Sequence, residues 1–208
     1  MTVELQPSLF DTGRPGALGP LTAATRSDLA GGAWVDHLPG WVDGSDEVLD
    51  ALLTGADWRA ERRPMYDRVV AVPRLTAWYA DPGRLPHPAL VAAHAALSSH
   101  YAAQLGEPLT SAGLCLYRDG RDSVAWHGDT IGRGASTDTV VAILSFGSAR
   151  TLALRPRTGG PGHRFQLGHG DLLVMGGSCQ RTWEHAVPKT ARHVGPRVSV
   201  QLRPAGVA

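Results

Sequence analysis

A histidine and an aspartate two residues apart, His127 and Asp129, stand at the end of the short apolar run Val124-Ala125-Trp126. Side chains alternate across an extended strand, so residues i and i+2 share a face. An imidazole and a carboxylate on one face are two thirds of a 2-His-1-carboxylate facial triad, the arrangement that holds non-haem Fe(II) with open positions. The third donor would be a histidine from a distant strand. The same triplet recurs at His169-Gly170-Asp171, directly before Leu172-Leu173-Val174-Met175. That copy reads as a turn launching a buried strand, but spacing alone does not decide between the two.

The C-terminal strand adds a second feature. Val198, Val200 and Leu202 fall on one face, and Arg197, Ser199, Gln201 and Arg203 on the other. On pattern alone this is an antiparallel strand with one wet face. Yet Arg197 and Arg203 lie roughly 20 Å apart along such a strand. Two extended arginines and a five-carbon diacid would about fill that span, and the guanidinium fork suits carboxylates. Beside a His/Asp/His iron site, the pair suggests a dicarboxylate cosubstrate.

The elements that must position these residues come in two textures. Residues 1–33 are rich in Gly, Pro and Thr and read as loop with one short helix. Ser45 reads as the N-cap of a helix to about Leu53, with Val48, Leu49, Leu52 and Leu53 as its apolar stripe. Strands follow at Val69–Val72 and Leu75–Tyr79, with Pro73 between them marking a bend or edge. A second helix starts near Pro88 and carries Leu90, Val91, His94, Leu97 and Tyr101 on one side. His94 is expected to be a packing histidine. From residue 112 onward come about eight short strands: Ala112–Tyr117, Val124–Trp126, Val140–Phe146, Thr151–Arg155, Arg164–Leu167, Leu172–Met175, Trp183–Val187 and Arg197–Leu202. Helices first and turn-separated strands later make the class α+β with a barrel or jelly-roll core.

Bulk properties bound the function. The 208 residues suit one compact unit, read as an N-terminal extension over 1–108 and a β core over 109–208. A formal net charge of +1 gives no global case for nucleic-acid or membrane binding. Lys189 is the only lysine. Cys115 and Cys179 form no CxxC pair, which excludes a zinc finger or disulfide framework and favours a reducing cytoplasm. No apolar run reaches membrane-spanning length, and the N-terminus lacks the charge and apolar pattern of a signal peptide.

Six stretches together carry a resemblance: PRLTAWY (Pro73–Tyr79), LYRDGRDSVAWHGD (Leu116–Asp129), LSFGSART (Leu144–Thr151), HGDLLVMGG (His169–Gly177), WEHAVPK (Trp183–Lys189) and PRVSVQLR (Pro196–Arg203). In this order they resemble the AlkB family of Fe(II)/2-oxoglutarate dioxygenases, in particular its DNA-repair branch. The resemblance implies a double-stranded β-helix (jelly-roll) core with N-terminal helices and a small extra β segment outside it. It implies iron ligands His127, Asp129 and His185, a Tyr117 hydrogen bond to 2-oxoglutarate, Arg197 on the distal carboxylate, and Arg203 near Asp129. It also assigns His169-Gly170-Asp171 to a turn. Cys115 and Ser199 stand where the family usually has asparagine near the cosubstrate. Ile131 stands where repair members commonly have an acid that contacts the base.

The implied activity is oxidative demethylation of 1-methyladenine- or 3-methylcytosine-type bases in DNA. It would use Fe(II), 2-oxoglutarate and O2 and release formaldehyde, succinate and CO2. A methylated base must leave the stack to reach such a site. Trp78 and Tyr79, with Arg74 and Ile131, are the candidate substrate contacts, and Trp126 is expected to be structural. Arg59, Arg62, Arg63, Arg68, Arg118, Arg121, Arg133, Arg155 and Arg157 are candidates for a phosphate track on single- or double-stranded DNA or RNA. The expected state is a monomer. Two rival readings stand beside this one: an oxygenase acting on RNA or tRNA, protein or a small molecule, and a non-catalytic cupin-like binding protein.

Overall fold

The computed structural model describes residues 16–65, 68–130 and 132–207, and the side chains of these apart from positions 63–65 and 68–70. Twelve strands form two antiparallel sheets. The strands are β1 (Thr25–Asp28), β2 (Ala33–Leu38), β3 (Arg59–Met65), β4 (Arg68–Tyr79), β5 (Leu109–Tyr117) and β6 (Val124–His127). They continue with β7 (Val141–Gly147), β8 (Arg150–Pro156), β9 (His163–Leu167), β10 (Asp171–Gly177), β11 (Trp183–Val187) and β12 (Arg197–Pro204). The major sheet runs β1-β2-β10-β7-β12-β5-β4-β3 and the minor sheet β6-β11-β8-β9. All eight strands expected after residue 112 form, and β3 and β4 extend the major sheet at one edge, outside the jelly-roll strands.

Two apolar layers hold the sheets. Val35, Ile143, Leu173, Met175, Leu152, Leu154 and Val187 fill the space between them. Against the outer face of the major sheet lie α1 (Ser45–Gly55) and α2 (Pro88–His100). Val48, Leu49 and Leu52 from α1 and Leu90 and Leu97 from α2 meet Leu144, Phe146, Val198, Val200 and Leu202. The apolar face of β12 is therefore turned to the helices, and its polar face to the interior between the sheets. The wet-face reading of that strand fails for this reason: Arg197 is 1% exposed and Ser199 2%.

Local differences have plain causes. Gly44, in the left-handed region, caps α1, and the Ser45 hydroxyl instead donates to the Val42 carbonyl at 2.6 Å. Pro73 does not divide two strands. It lies within β4 beside the irregularity in the β3 ladder and beyond the end of the β5 ladder, where no amide hydrogen is required. β2 pairs fully with β10 although residues 1–33 read as loop up to its first residue. His94 meets the Leu109 carbonyl at 2.6 Å, a packing role as expected. No helix of the described residues is long and apolar enough to cross a membrane.

Candidate iron and cosubstrate site

His127 ends β6 and His185 lies in the middle of β11, and the two are cross-strand partners in one ladder. Their ring centroids are 4.2 Å apart. Asp129 follows two residues on, with its Oδ1 3.9 Å from His127 Nε2. One donor atom from each of the three lies within 4.8 Å of the others, so small side-chain rotations suffice to place them around one ion. Between the ligands stands Gly128, where any Cβ would collide with the Gln180 carbonyl oxygen. The motif therefore needs glycine for close approach rather than for its backbone angles.

The surroundings prepare each donor. His127 Nδ1 donates to the Ala125 carbonyl at 2.9 Å, which leaves the Nε2 lone pair for a metal. Burial, helped by neighbouring His127 and opposed by Asp129, pushes His185 down to about 3, so its ring is neutral at pH 7. Burial alone would raise the Asp129 carboxyl, but the Arg203 guanidinium beside it outweighs that and lowers it, so it stays ionised. Arg203 Nε donates to Asp129 Oδ2 at 2.8 Å and leaves Oδ1 toward the histidines. These are two imidazole lone pairs and one carboxylate, the donor set of a facial triad.

Beside the triad, a narrow cavity is lined by Arg74, Tyr117, Arg197, Ser199, His127 and His185 among others. Arg197 enters it from the start of β12. Its Nε donates to Ser145 Oγ at 2.9 Å, its guanidinium carbon is 5.3 Å from the Tyr117 ring centre, and its Nη1 is buried with no partner. No carboxylate among the described residues pairs with it. An orphaned guanidinium nitrogen facing a cavity is what a carboxylate ligand would satisfy. Burial, reinforced by Cys115 and opposed by Arg197, pushes the Tyr117 phenol up to about 12, so it remains a donor at neutral pH. The residues present thus fit both Fe(II) and 2-oxoglutarate.

The two asparagine-to-small departures face each other: Ser199 and Cys115 are cross-strand partners, and Thr76 and Ser145 continue the row on either side. Gln201 and Arg74 reach into the space. Gln201 Nε2 donates to Ser199 Oγ at 2.5 Å, and Arg74 Nε donates to Cys115 Sγ at 3.3 Å. Arg74, expected among the substrate contacts, lines the cosubstrate cavity.

Next to this cavity, sharing Cys115, Gln201 and Arg203, opens a groove of about 450 Å³ walled by Asp57, Glu61, Thr76 and Trp78. Trp78 is 56% exposed. Gly113 keeps the passage open, since a Cβ there would approach Arg203 Nη1 to 2.7 Å and the Trp78 ring to 3.5 Å. Tyr79 does not line this groove and packs partly buried against the helix-side core. Trp126 is half-exposed, with Arg155 stacked 4.3 Å over its ring. Ile131 lies outside the described residues.

The second His-x-Asp copy is used up structurally. Asp171 accepts from the amides of Gly168 and Gly40, His169 Nδ1 accepts from the amide of Gly147, and Gly170 is left-handed at φ 79°. The expected arginine track is largely neutralised. Arg59 pairs with Asp57, Arg118 with Asp122, Arg121 with Asp119, Arg133 with Glu107, and both Arg155 and Arg157 with Glu184. Arg63 and Arg68 have no described side chains.

Three contributors were missed. Ser145, which orients Arg197, was legible only as a polar interruption of the run from Val140 to Phe146. Arg150 is buried and donates to the carbonyls of Asp119, Asp122 and Pro188, tying together the segments before β6 and after β11. Gln180 Oε1 accepts the Asp129 amide at 3.0 Å, and nothing in its sequence context marks it. Replacing Gln180 with leucine removes that anchor and is expected to weaken Fe(II) binding about 10–100-fold with little change in fold, measured by anaerobic metal titration.

Comparison with known proteins agrees with this geometry. Residues 48–203 match the family described as the 2OG-Fe(II) oxygenase superfamily. The chain is 33% identical over 193 residues to the "Alpha-ketoglutarate-dependent dioxygenase alkB homolog 3" of Homo sapiens, covering 79% of this chain and 64% of that protein. It is 32% identical over 130 residues to the "DNA oxidative demethylase ALKBH2" of Arabidopsis thaliana, covering 51% of this chain and 41% of that one. Among solved structures, a prolyl hydroxylase from Trichoplax adhaerens, in complex with a hypoxia inducible factor peptide, shares the fold. Its TM-score is 0.60 at 14% identity, over 81% of this chain and 82% of that one. The family's members use Fe(II), 2-oxoglutarate and O2. With its His-Asp-His cluster, this chain belongs to the 2OG-Fe(II) oxygenase superfamily, and it is similar to AlkB proteins while spanning just under two thirds of the length of the human relative.

Proposed function

We propose that the protein removes N-methyl groups oxidatively from bases of the 1-methyladenine and 3-methylcytosine type in DNA. The observation that carries this reading is the groove of Trp78, which opens beside the triad and is joined to it through Arg203 and Gln201. An exposed indole there offers a stacking face to a base that has left its helix. The relatives' names, a dioxygenase and a DNA oxidative demethylase, point to the same chemistry.

Iron with 2-oxoglutarate and O2, when bound, supplies an oxygen atom to the N-methyl carbon while the keto acid becomes succinate and CO2. The resulting N-hydroxymethyl group breaks down to formaldehyde and the unmethylated base. The chain's own residues do the placing. Arg197 and Tyr117 hold the diacid, Arg203 keeps Asp129 ionised and oriented, and Ala125 fixes the His127 tautomer. The apolar layer of Ile143, Leu152 and Val187 keeps water from the rear of the cavity.

The test is incubation of the Fe(II)- and 2-oxoglutarate-loaded protein with DNA and RNA oligonucleotides carrying 1-methyladenine or 3-methylcytosine. Formaldehyde released in step with succinate, only from methylated DNA, is the expected result. Release from methylated RNA alone moves the substrate to RNA, and release from neither removes the reading. Replacing Trp78 with alanine is expected to raise KM about ten- to a hundredfold, since stacking contributes about 1–3 kcal/mol per base. Replacing Tyr79 should lower stability and leave KM in place.

A further inference from the structure

One group of basic residues without carboxylate partners lies away from the expected track. At the end of the minor sheet where β8 begins and β9 ends, a cavity of about 600 Å³ is lined by Arg150, Arg164, Lys189, Arg192 and His193. No aspartate or glutamate lines it. The side chains of Arg164, Lys189, Arg192 and His193 have no carboxylate partner among the described residues, and all four are exposed. This contrasts with the six paired arginines of the expected track and with Arg26, Arg181 and Arg203, all of which are held by acids.

The segment that carries Lys189, Arg192 and His193 is anchored. Arg150 donates to the Pro188 carbonyl at 2.8 Å, the Thr190 amide donates to the Gly120 carbonyl at 2.8 Å, and Thr190 Oγ1 accepts the Arg192 amide at 3.1 Å. Backbone hydrogen bonds thus set where these side chains start, and an anion in the cavity would meet several cationic N–H donors with no acid beside them. The segment also continues directly from the strand of His185. Four residues of extended chain separate His185 from Lys189, roughly 13 Å.

We propose that this cavity is a phosphate-binding site for the backbone of the nucleic-acid strand whose base enters the iron site, an inference that rests on the nucleic-acid reading above. The cavity is roughly 13 Å from His185, and across β12, roughly 20 Å long, from the Trp78 groove. It would therefore hold a phosphate of the same strand a few nucleotides from the target base.

The experiment measures binding of an unmethylated twelve-nucleotide single strand to the metal-free protein by fluorescence anisotropy at several salt concentrations. The protein is compared with a variant carrying Arg164→Glu, Lys189→Glu and Arg192→Glu. All three positions are exposed, and a thermal melt verifies folding. The expected result is at least a tenfold loss of affinity near physiological salt. The slope of log affinity against log salt should fall by about two, three contacts at about 0.7 each.

Unchanged affinity and slope for the twelve-mer overturn the proposal. A second contrary result is inorganic phosphate that binds the wild type and not the variant while the twelve-mer binds both alike, which would make the cavity a free-anion site. Because the assay uses neither iron nor a methylated base, it can succeed where demethylation fails, and the reverse.

Discussion

Replacing His185 with alanine is expected to abolish turnover and to weaken Fe(II) binding by more than about 100-fold. Loss of an outer partner of a metal ligand already costs about 10–100-fold, and His185 is itself a donor. The residue is buried, its ring is kept neutral by that burial, and it is the direct cross-strand partner of His127. No other histidine among the described residues joins the cluster to replace it. The matching control is His169→Ala, in the second His-x-Asp triplet. That change removes a hydrogen bond to the Gly147 amide and a contact with Asp46 at 3.1 Å, so it should lower the melting temperature and leave Fe(II) affinity unchanged. Anaerobic metal titration of the two variants separates these outcomes.

Replacing Arg197 with leucine is expected to move stability and ligand binding in opposite directions. The guanidinium is 1% exposed, lacks a carboxylate among the described residues, and leaves Nη1 unpartnered. A buried charge in that state is a burden on the ligand-free fold, and burial accordingly lowers its affinity for its own proton. An apolar side chain of lesser length should leave the ligand-free protein as stable or more so in a denaturant titration. The same change should weaken 2-oxoglutarate binding by about 2–5 kcal/mol, roughly 30- to several-thousand-fold, because the ligand's distal carboxylate loses its charge partner. A stability loss above about 2 kcal/mol with unchanged 2-oxoglutarate affinity would mean that Arg197 is a structural residue.

The parts of this protein written in short-range pattern were legible in its sequence, and those written across the sheets were not. Alternation marked β12 and its two arginines, and turn residues marked the β core. Periodicity and the pattern of stops marked α1 and α2. The face of β12 was misjudged because alternation says which residues share a side and not what covers it. Here both sides are covered, one by helices and the other by the minor sheet. β2 was missed at Ala33–Leu38 because Asp36 and His37 break its apolar signal. In the fold Asp36 is buried against Arg26 and the Tyr101 hydroxyl, partners 10 and 65 residues away. Gln180 and Ser145 were missed for a related reason: each acts on one distant atom, the Asp129 amide or the Arg197 Nε. The arginine track failed because charge in a sequence carries no record of its partner. Glu184 alone occupies two of the arginines expected to be free.

The convergence of His127, Asp129 and His185 on one ferrous ion is tested most directly by anomalous diffraction at the iron edge. The crystals would be grown without oxygen in the presence of Fe(II) and 2-oxoglutarate. The expected map has one peak, within about 2.3 Å of a nitrogen of each histidine and an oxygen of Asp129, with the diacid reaching from it toward Arg197. A peak beside His169 and Asp171, or no peak at the triad in iron-loaded crystals, would contradict the assignment.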